Sequence, residues 1–196
     1  MMHPHTEVQF ISDEIGYGVV ATKFIPRGTI TWVQDELDQV LTAKEVEKMR
    51  PKTRELVDKY SFRNSKGHFV LCWDLSKYVN HSFRSNCIST AYDFELAVRD
   101  IHPGEQLTDD YGYLNVSEPF RAQDEGTERN TVYPDDLLHF HREWDAQLNE
   151  AFEFFKNVEQ PLTPFVAPEI LERIHHRLDN NLALDSILTL YCGEIN

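Results

Sequence analysis

Val70-Leu-Cys-Trp-Asp74, Lys77-Tyr-Val-Asn-His-Ser82, Phe94-Glu-Leu-Ala-Val98 and Pro103-Gly-Glu-Gln-Leu-Thr-Asp-Asp-Tyr-Gly112 follow one another between Val70 and Asn115. Each apolar run is short and is bounded by polar or Gly/Pro turns, the pattern of small β-strands. Two of the breaks, Asn80-His81 and Asp110-Tyr111-Gly112, carry side chains suited to binding and to chemistry.

The same pattern extends toward the N-terminus. Glu7 to Phe10 reads as a strand, Gly16-Tyr17-Gly18 as a turn with backbone freedom, and Val19 to Phe24 and Thr29 to Val33 as strands around a turn at Pro26 and Gly28. Ala97 to Gly104 echoes Ala21 to Gly28, with Ile101 at the place of Ile25; two similar hairpins are expected. Thr42 followed by Glu45 is a capping box that opens a helix to about Met49. Pro51 starts a second helix through Val57. Tyr60 to Arg63 and His68 to Trp73 read as a hairpin, Lys77 to Asn86 as a helical turn and loop, and Cys87 to Tyr92 and Glu95 to Val98 as strands. After Asn115 the composition changes. Gln123 to Asn130 is polar and reads as a mobile linker. From Asp135 an apolar stripe (Leu137, His141, Trp144, Leu148, Ala151 or Phe152, Phe155, Val158) predicts a long helix. Pro168 begins another helix, and Leu182 to Tyr191 a last short one.

The chain has 196 residues, enough for one good-sized domain or a domain with an appendage. No apolar run approaches the ~20 residues that span a bilayer, and the N-terminus lacks a signal pattern. A soluble intracellular protein, cytoplasmic or nuclear, is the expectation. Cys72, Cys87 and Cys192 are widely spaced and form no zinc or disulfide pattern. The net charge of −14 argues against direct binding to nucleic acid and favours a basic partner.

Gly16-Tyr17-Gly18, Ile25-Pro26-Arg27-Gly28, Asn80-His81-Ser82 and Gly104-Glu-Gln-Leu-Thr-Asp-Asp-Tyr-Gly112 occur in the order found in the SET domain, the fold of most protein-lysine methyltransferases. The resemblance covers roughly residues 6 to 116. It implies a mainly β SET fold of small sheets around a threaded C-terminal segment, with a helical insert at about 42–58. Residues 1–116 would form the catalytic domain, and 117–196 a linker and helical C-terminal arm. It implies S-adenosyl-L-methionine as cofactor and a lysine of a basic protein, such as a histone, as methyl acceptor. Tyr111 matches the catalytic tyrosine. Asn80, His81 and the Gly16, Tyr17, Gly18 turn match cofactor-binding positions, and Tyr60 an aromatic near the cofactor. Methylation needs a neutral amine, although free lysine has a pKa of about 10.4, and a channel that aligns the reactants and excludes water. Tyrosine rings suit such walls.

The departures are equally specific. The family often has a zinc-binding cysteine where Phe83 stands, and a Cys-x-Cys cluster after the domain, where Phe120 to Glu125 has none. No structural zinc is therefore expected, and the helical arm is expected to take the lid's place. Asp109 stands in the substrate channel two places before Tyr111, where the family often has Phe or Tyr, so the number of methyl groups added stays open. A catalytically inactive module that binds a basic peptide is the alternative. Oligomeric state and target lysine are not legible.

Overall fold

The computed structural model describes residues 1–193. Strands β1 (Thr6–Ser12) and β2 (Gly16–Ala21) pair antiparallel, with Thr6 opposite Ala21 and Phe10 opposite Tyr17. Gly16 makes the turn at φ +84°, a conformation that a side chain would strain. β3 (Ile30–Val33) is buried along its whole length.

The helical insert follows β4 (Gln39–Leu41). α1 (Ala43–Glu47) starts at the expected capping box: the Thr42 N–H donates to Glu45 Oε2 at 2.8 Å and the Glu45 N–H to Thr42 Oγ1 at 3.4 Å. α2 (Pro51–Tyr60) opens on a proline, whose missing N–H costs nothing at the first helical position. It runs past the expected end at Val57, so Tyr60 closes a helix instead of opening a strand. β5 (Ser61–Arg63) and β6 (Phe69–Leu71) form the expected hairpin, and β6 also pairs with β4. Asn64 Oδ1 holds that hairpin's turn by accepting the N–H groups of Lys66 and His68 at 3.0 and 3.1 Å.

A 3₁₀ turn at Leu75–Tyr78 leads into β7 (Asn80–His81). β8 (Cys87–Ser89) and β9 (Phe94–Ala97) pair antiparallel and complete a sheet of order β3-β9-β8. β8 ends earlier than the sequence suggested, because the Thr90 N–H and Oγ1 both donate to the Phe94 carbonyl and turn the chain, with Asp93 at φ 59°. β10 (Thr108–Asp109) lies parallel to β7, Thr108 beside Asn80 and Asp109 beside His81. This brings the two motif segments of the opening stretch side by side.

The echo between the two hairpins is a physical pairing. Ile25 and Ile101 exchange backbone hydrogen bonds of 2.9 Å, the Gly104 N–H donates to the Ala21 carbonyl at 2.8 Å, and the Gly28 N–H donates to the Ala97 carbonyl at 2.8 Å. Both turn glycines sit at φ +87°.

After the 3₁₀ turn at Tyr111–Tyr113, β11 (Phe120–Arg121) and β12 (Thr131–Val132) form a short antiparallel hairpin. The stretch from 123 to 130, expected as a mobile linker, is the connection of that hairpin; Ser82 Oγ donates to Glu125 Oε2 across it at 3.0 Å. α3 (Asp136–Phe152) buries Leu137, Trp144, Leu148, Ala151 and Phe152, the predicted stripe, while Phe155 and Val158 lie beyond its end. α4 (Pro168–Asp179) buries Ile174. These side chains share one core with Ile30, Ile88, Phe94 and Leu96 of the β3-β9-β8 sheet. Burying each large side chain is worth roughly 1.5–3 kcal/mol, so the helical arm is held on the sheet by its whole stripe. The last expected helix is a 3₁₀ turn at Ile187–Leu190 alone. The residues before it are in neither helix nor strand, where Arg177 binds the Ala183 carbonyl and the Asp185 carboxylate. Among the described residues no helix is long and apolar enough to cross a membrane.

Candidate active site

The β7–β10 pairing sets the site. The Ser82 N–H donates to the Asp109 carbonyl at 2.9 Å, which aligns His81 with the chain entering Tyr111. His81 Nδ1 accepts the Tyr111 N–H at 3.2 Å, and the Tyr111 hydroxyl donates to the Val79 carbonyl at 2.7 Å. Tyr111 is thus tied at both ends to the segment 79–81. Burial pushes its hydroxyl well above the ordinary tyrosine value, so it remains protonated. Burial also pulls the His81 imidazole down to about 4. A neutral ring that accepts at Nδ1 carries its proton at Nε2, and this buried Nε2 has no partner among the described residues.

The glycine turn meets Asn80. Asn80 Nδ2 donates to the Tyr17 carbonyl at 3.1 Å and to Gln106 Oε1 at 3.0 Å. A Cβ at Gly18 would fall 2.4 Å from Gln106 Oε1 and 2.8 Å from Asn80 Nδ2, so only glycine fits there, whereas Gly16 opens to free space. The Tyr17 ring meets Tyr78 edge-on at 6.3 Å, and Tyr78 meets Tyr60 at 6.1 Å. The expected cofactor positions Gly16, Tyr17, Gly18, Tyr60 and Asn80 are therefore joined, through Tyr78. His81 stands with Phe83, Tyr111 and Phe120, its ring 4.4, 5.4 and 5.6 Å from theirs.

A cavity of about 420 Å³ opens beside this group. Tyr60, Asp109 and Tyr111 line it, with Trp32, Phe62 and Phe120 as apolar walls; Gly16, Tyr17, Gly18, Asn80 and His81 do not reach it. Its wall also holds Glu95, which sequence reasoning passed over as one residue of a strand. Glu95 and Asp109 are neighbouring carboxyls, and both are raised by burial.

Residues 16–112 match the SET domain family. The chain belongs to the SET-domain family. A candidate histone methyltransferase of Plasmodium falciparum is a structural neighbour at 17% identity and a TM-score of 0.42, over 56% of this chain and 95% of that one. No curated protein matches the chain. The family assignment therefore rests on the match over residues 16–112, which contains every motif of the opening stretch.

Beyond the matched segment, this SET protein holds the turn that carries Tyr111 with charge. Arg129, from the β11–β12 connection, binds the carboxylates of both Asp110 and Asp136. Its guanidinium lies 4.6 Å from the Phe83 ring centroid and 4.3 Å from that of Phe140. Phe83, where the family often has a zinc-binding cysteine, is thus one wall of an arginine clamp. Among the described residues no group of three or more His, Cys, Asp or Glu is placed to hold a metal ion. Sequence inspection had no means of singling out Arg129, because its partners lie 19 and 7 residues away. Only the β11–β12 hairpin brings it back to Asp110.

Proposed function

We propose that this SET protein transfers methyl groups from S-adenosyl-L-methionine to a lysine side chain of a basic protein. One observation carries the reading: Tyr111 is anchored by its backbone N–H to His81 and by its hydroxyl to the Val79 carbonyl while its side chain lines the cavity. The residues fit the cofactor. The turn at Gly16, open to free space, supplies close backbone approach; the His81 Nε2–H, without a partner among the described residues, supplies a donor; and Tyr17, Tyr60 and Tyr78 supply an aromatic wall. When bound, the cofactor supplies an electrophilic methyl group on a sulfonium. Tyr111 positions the amine with its hydroxyl, and the apolar walls of the cavity exclude water, which strengthens that dipole and disfavours the charged ammonium. Mass spectrometry of a panel of basic proteins incubated with cofactor tests the proposal; mass increments of methyl groups on lysine are expected. A peptide-binding module without turnover is the second reading, favoured by the carboxyl of Asp109 in place of an aromatic ring. It predicts peptide affinity and no increment.

Two further results are expected. Asn80→Ala removes hydrogen bonds each worth about 0.5–1.5 kcal/mol and releases the Tyr17 carbonyl. Cofactor affinity by calorimetry should fall about tenfold, the weight of 1.4 kcal/mol. An unchanged affinity would move the cofactor away from β7. The net charge of −14 should steer a basic substrate toward the protein. The rate constant for association should therefore drop as salt is raised, since fields are screened over about 10 Å at roughly 0.1 M. A rate constant flat across that range would remove steering from the account.

A further inference from the structure

Methyl transfer requires a neutral amine, and an amine in solution arrives as an ammonium ion. Of the four carboxyls that line the cavity, Asp58, Glu95, Asp109 and Glu118, the account above leaves the two buried ones, Glu95 and Asp109, unused. Glu95 and Asp109 are 8% and 4% exposed, line the cavity together with Tyr111, and lie close enough for each carboxyl to shift the other. Among the described residues no Lys, Arg or His nitrogen lies within ion-pair distance of either. Asp109 accepts the Tyr113 hydroxyl at 3.0 Å, but a buried carboxylate without a cation remains costly. A second group points the same way. Trp32 sits opposite Glu95 in the β3–β9 pairing, lines the same cavity, is 4% exposed, and its indole N–H has no partner among the described residues. An unpaired buried donor beside two carboxyls is completed by a polar guest, not by an apolar one.

We propose that the Glu95–Asp109 pair accepts the proton of the ammonium group that enters this cavity. The inference deepens the methyltransferase reading and rests on it for the identity of the amine. In the step, one N–H bond of the ammonium breaks and its electron pair stays on nitrogen. The proton forms an O–H bond on the pair, which goes from one proton and one negative charge to two protons and none. The amine is left neutral beside Tyr111. The pair later returns its proton to solvent, one per turnover.

The environment allows this. Burial raises both carboxyls, Asp109 to about 7, nearer to the amine than an ordinary carboxylate stands. The other titratable neighbours of the pair are the hydroxyls of Tyr111 and Tyr113 and the Cys87 thiol, which burial keeps protonated. Asp110, Asp74 and the amino group of Met1 also face it. Lys59, Arg63 and Lys77 line the cavity without pairing with it.

The test uses the whole protein with n-butylammonium as a probe, first without cofactor. Difference infrared spectroscopy should show the protonated-carboxyl band grow when the probe binds wild type. The gain should be lost in Asp109→Asn, and Glu95→Gln replaces that variant if it proves poorly folded, with the same loss expected. A band that does not change in wild type overturns the proposal. In the pH dependence of turnover, Asp109→Asn should lose about a hundredfold near neutrality, within the usual range for a positioned proton acceptor, and regain rate as the pH rises and solvent deprotonates the amine. A uniform loss at every pH would mark Asp109 as merely structural and would also overturn the proposal. Thermal stability gives a further sign: a folded carboxyl raised above its unfolded value makes stability fall as pH rises from about 4 toward about 7. That fall should be shallower in Asp109→Asn. Wild type that gains the infrared band but methylates nothing would remove the methyltransferase reading and leave the proton acceptor in place.

Discussion

Tyr111→Phe should lower turnover about a hundred- to thousandfold while the protein stays folded and keeps its cofactor affinity. The substitution retains the ring, which is buried beside His81 and Phe120 at centroid distances of 5.4 and 6.0 Å. It removes one hydroxyl, now bonded to the Val79 carbonyl at 2.7 Å. An ordinary hydrogen bond is worth about 0.5–1.5 kcal/mol net, so the melting temperature should fall modestly. A fixed dipole aimed at developing charge in a dry site is worth roughly 2.7–4 kcal/mol in the transition state. The two magnitudes separate the structural role of the hydroxyl from the catalytic one. Cofactor affinity should hold, because Asn80, the glycine turn and the His81 Nε2 make no contact with the Tyr111 hydroxyl. Steady-state kinetics with a methylated-product readout, beside calorimetry and thermal unfolding, measures all three. Wild-type turnover by the variant would show that the reaction centre lies elsewhere.

Legibility followed sequence separation. Gly16-Tyr17-Gly18, Asn80-His81 and Asp110-Tyr111-Gly112 are local signals, and the structure joins the first to the second through Asn80 Nδ2 and the second to the third through His81 Nδ1. The capping box at Thr42 was legible because its two hydrogen bonds span only three residues. The stripe of α3 was legible because the helix repeats it. Its partner sheet was not, since nothing local says which surface an apolar stripe will cover. Glu95 was illegible for the same reason: it lies within an apolar strand, and only the fold places it beside Asp109. Asp109 itself stood out only as a departure from the family. The final helix failed because Leu182 to Asp185 has helix-compatible residues, yet Arg177 and the Tyr92 hydroxyl bind that segment in a non-helical form. Tertiary hydrogen bonds there outweigh the small differences in helix propensity.

Arg129→Met should be among the most destabilising single substitutions in the protein, and its effect should depend on pH. Methionine can still lie between the rings of Phe83 and Phe140, so lost packing is kept small and the lost charge dominates. Asp110 and Asp136 are each 2% exposed, and Arg129 is the cation that binds both. Removing one partner from a buried charge cluster costs about 3–5 kcal/mol. Burial already raises both carboxyls even with the guanidinium present to oppose it. Without Arg129 they should rise further. A folded-state value above the unfolded one means that the native protein binds more protons, so stability is lost as pH climbs through that interval. The deficit of Arg129→Met should thus be largest near neutrality and shrink at acid pH, as the raised carboxyls take up protons. Adding Asp136→Asn should return part of the loss by removing one of the stranded charges. Turnover should fall as well, because Asp110 Oδ1 accepts the Gly112 N–H at 3.0 Å and caps the 3₁₀ turn that carries Tyr111. Urea unfolding at the two pH values measures the first effect, and kinetics at a temperature where the variant is folded measures the second. Wild-type stability near neutrality would mean that the two aspartates find other partners, and that the clamp does not hold the turn that carries Tyr111.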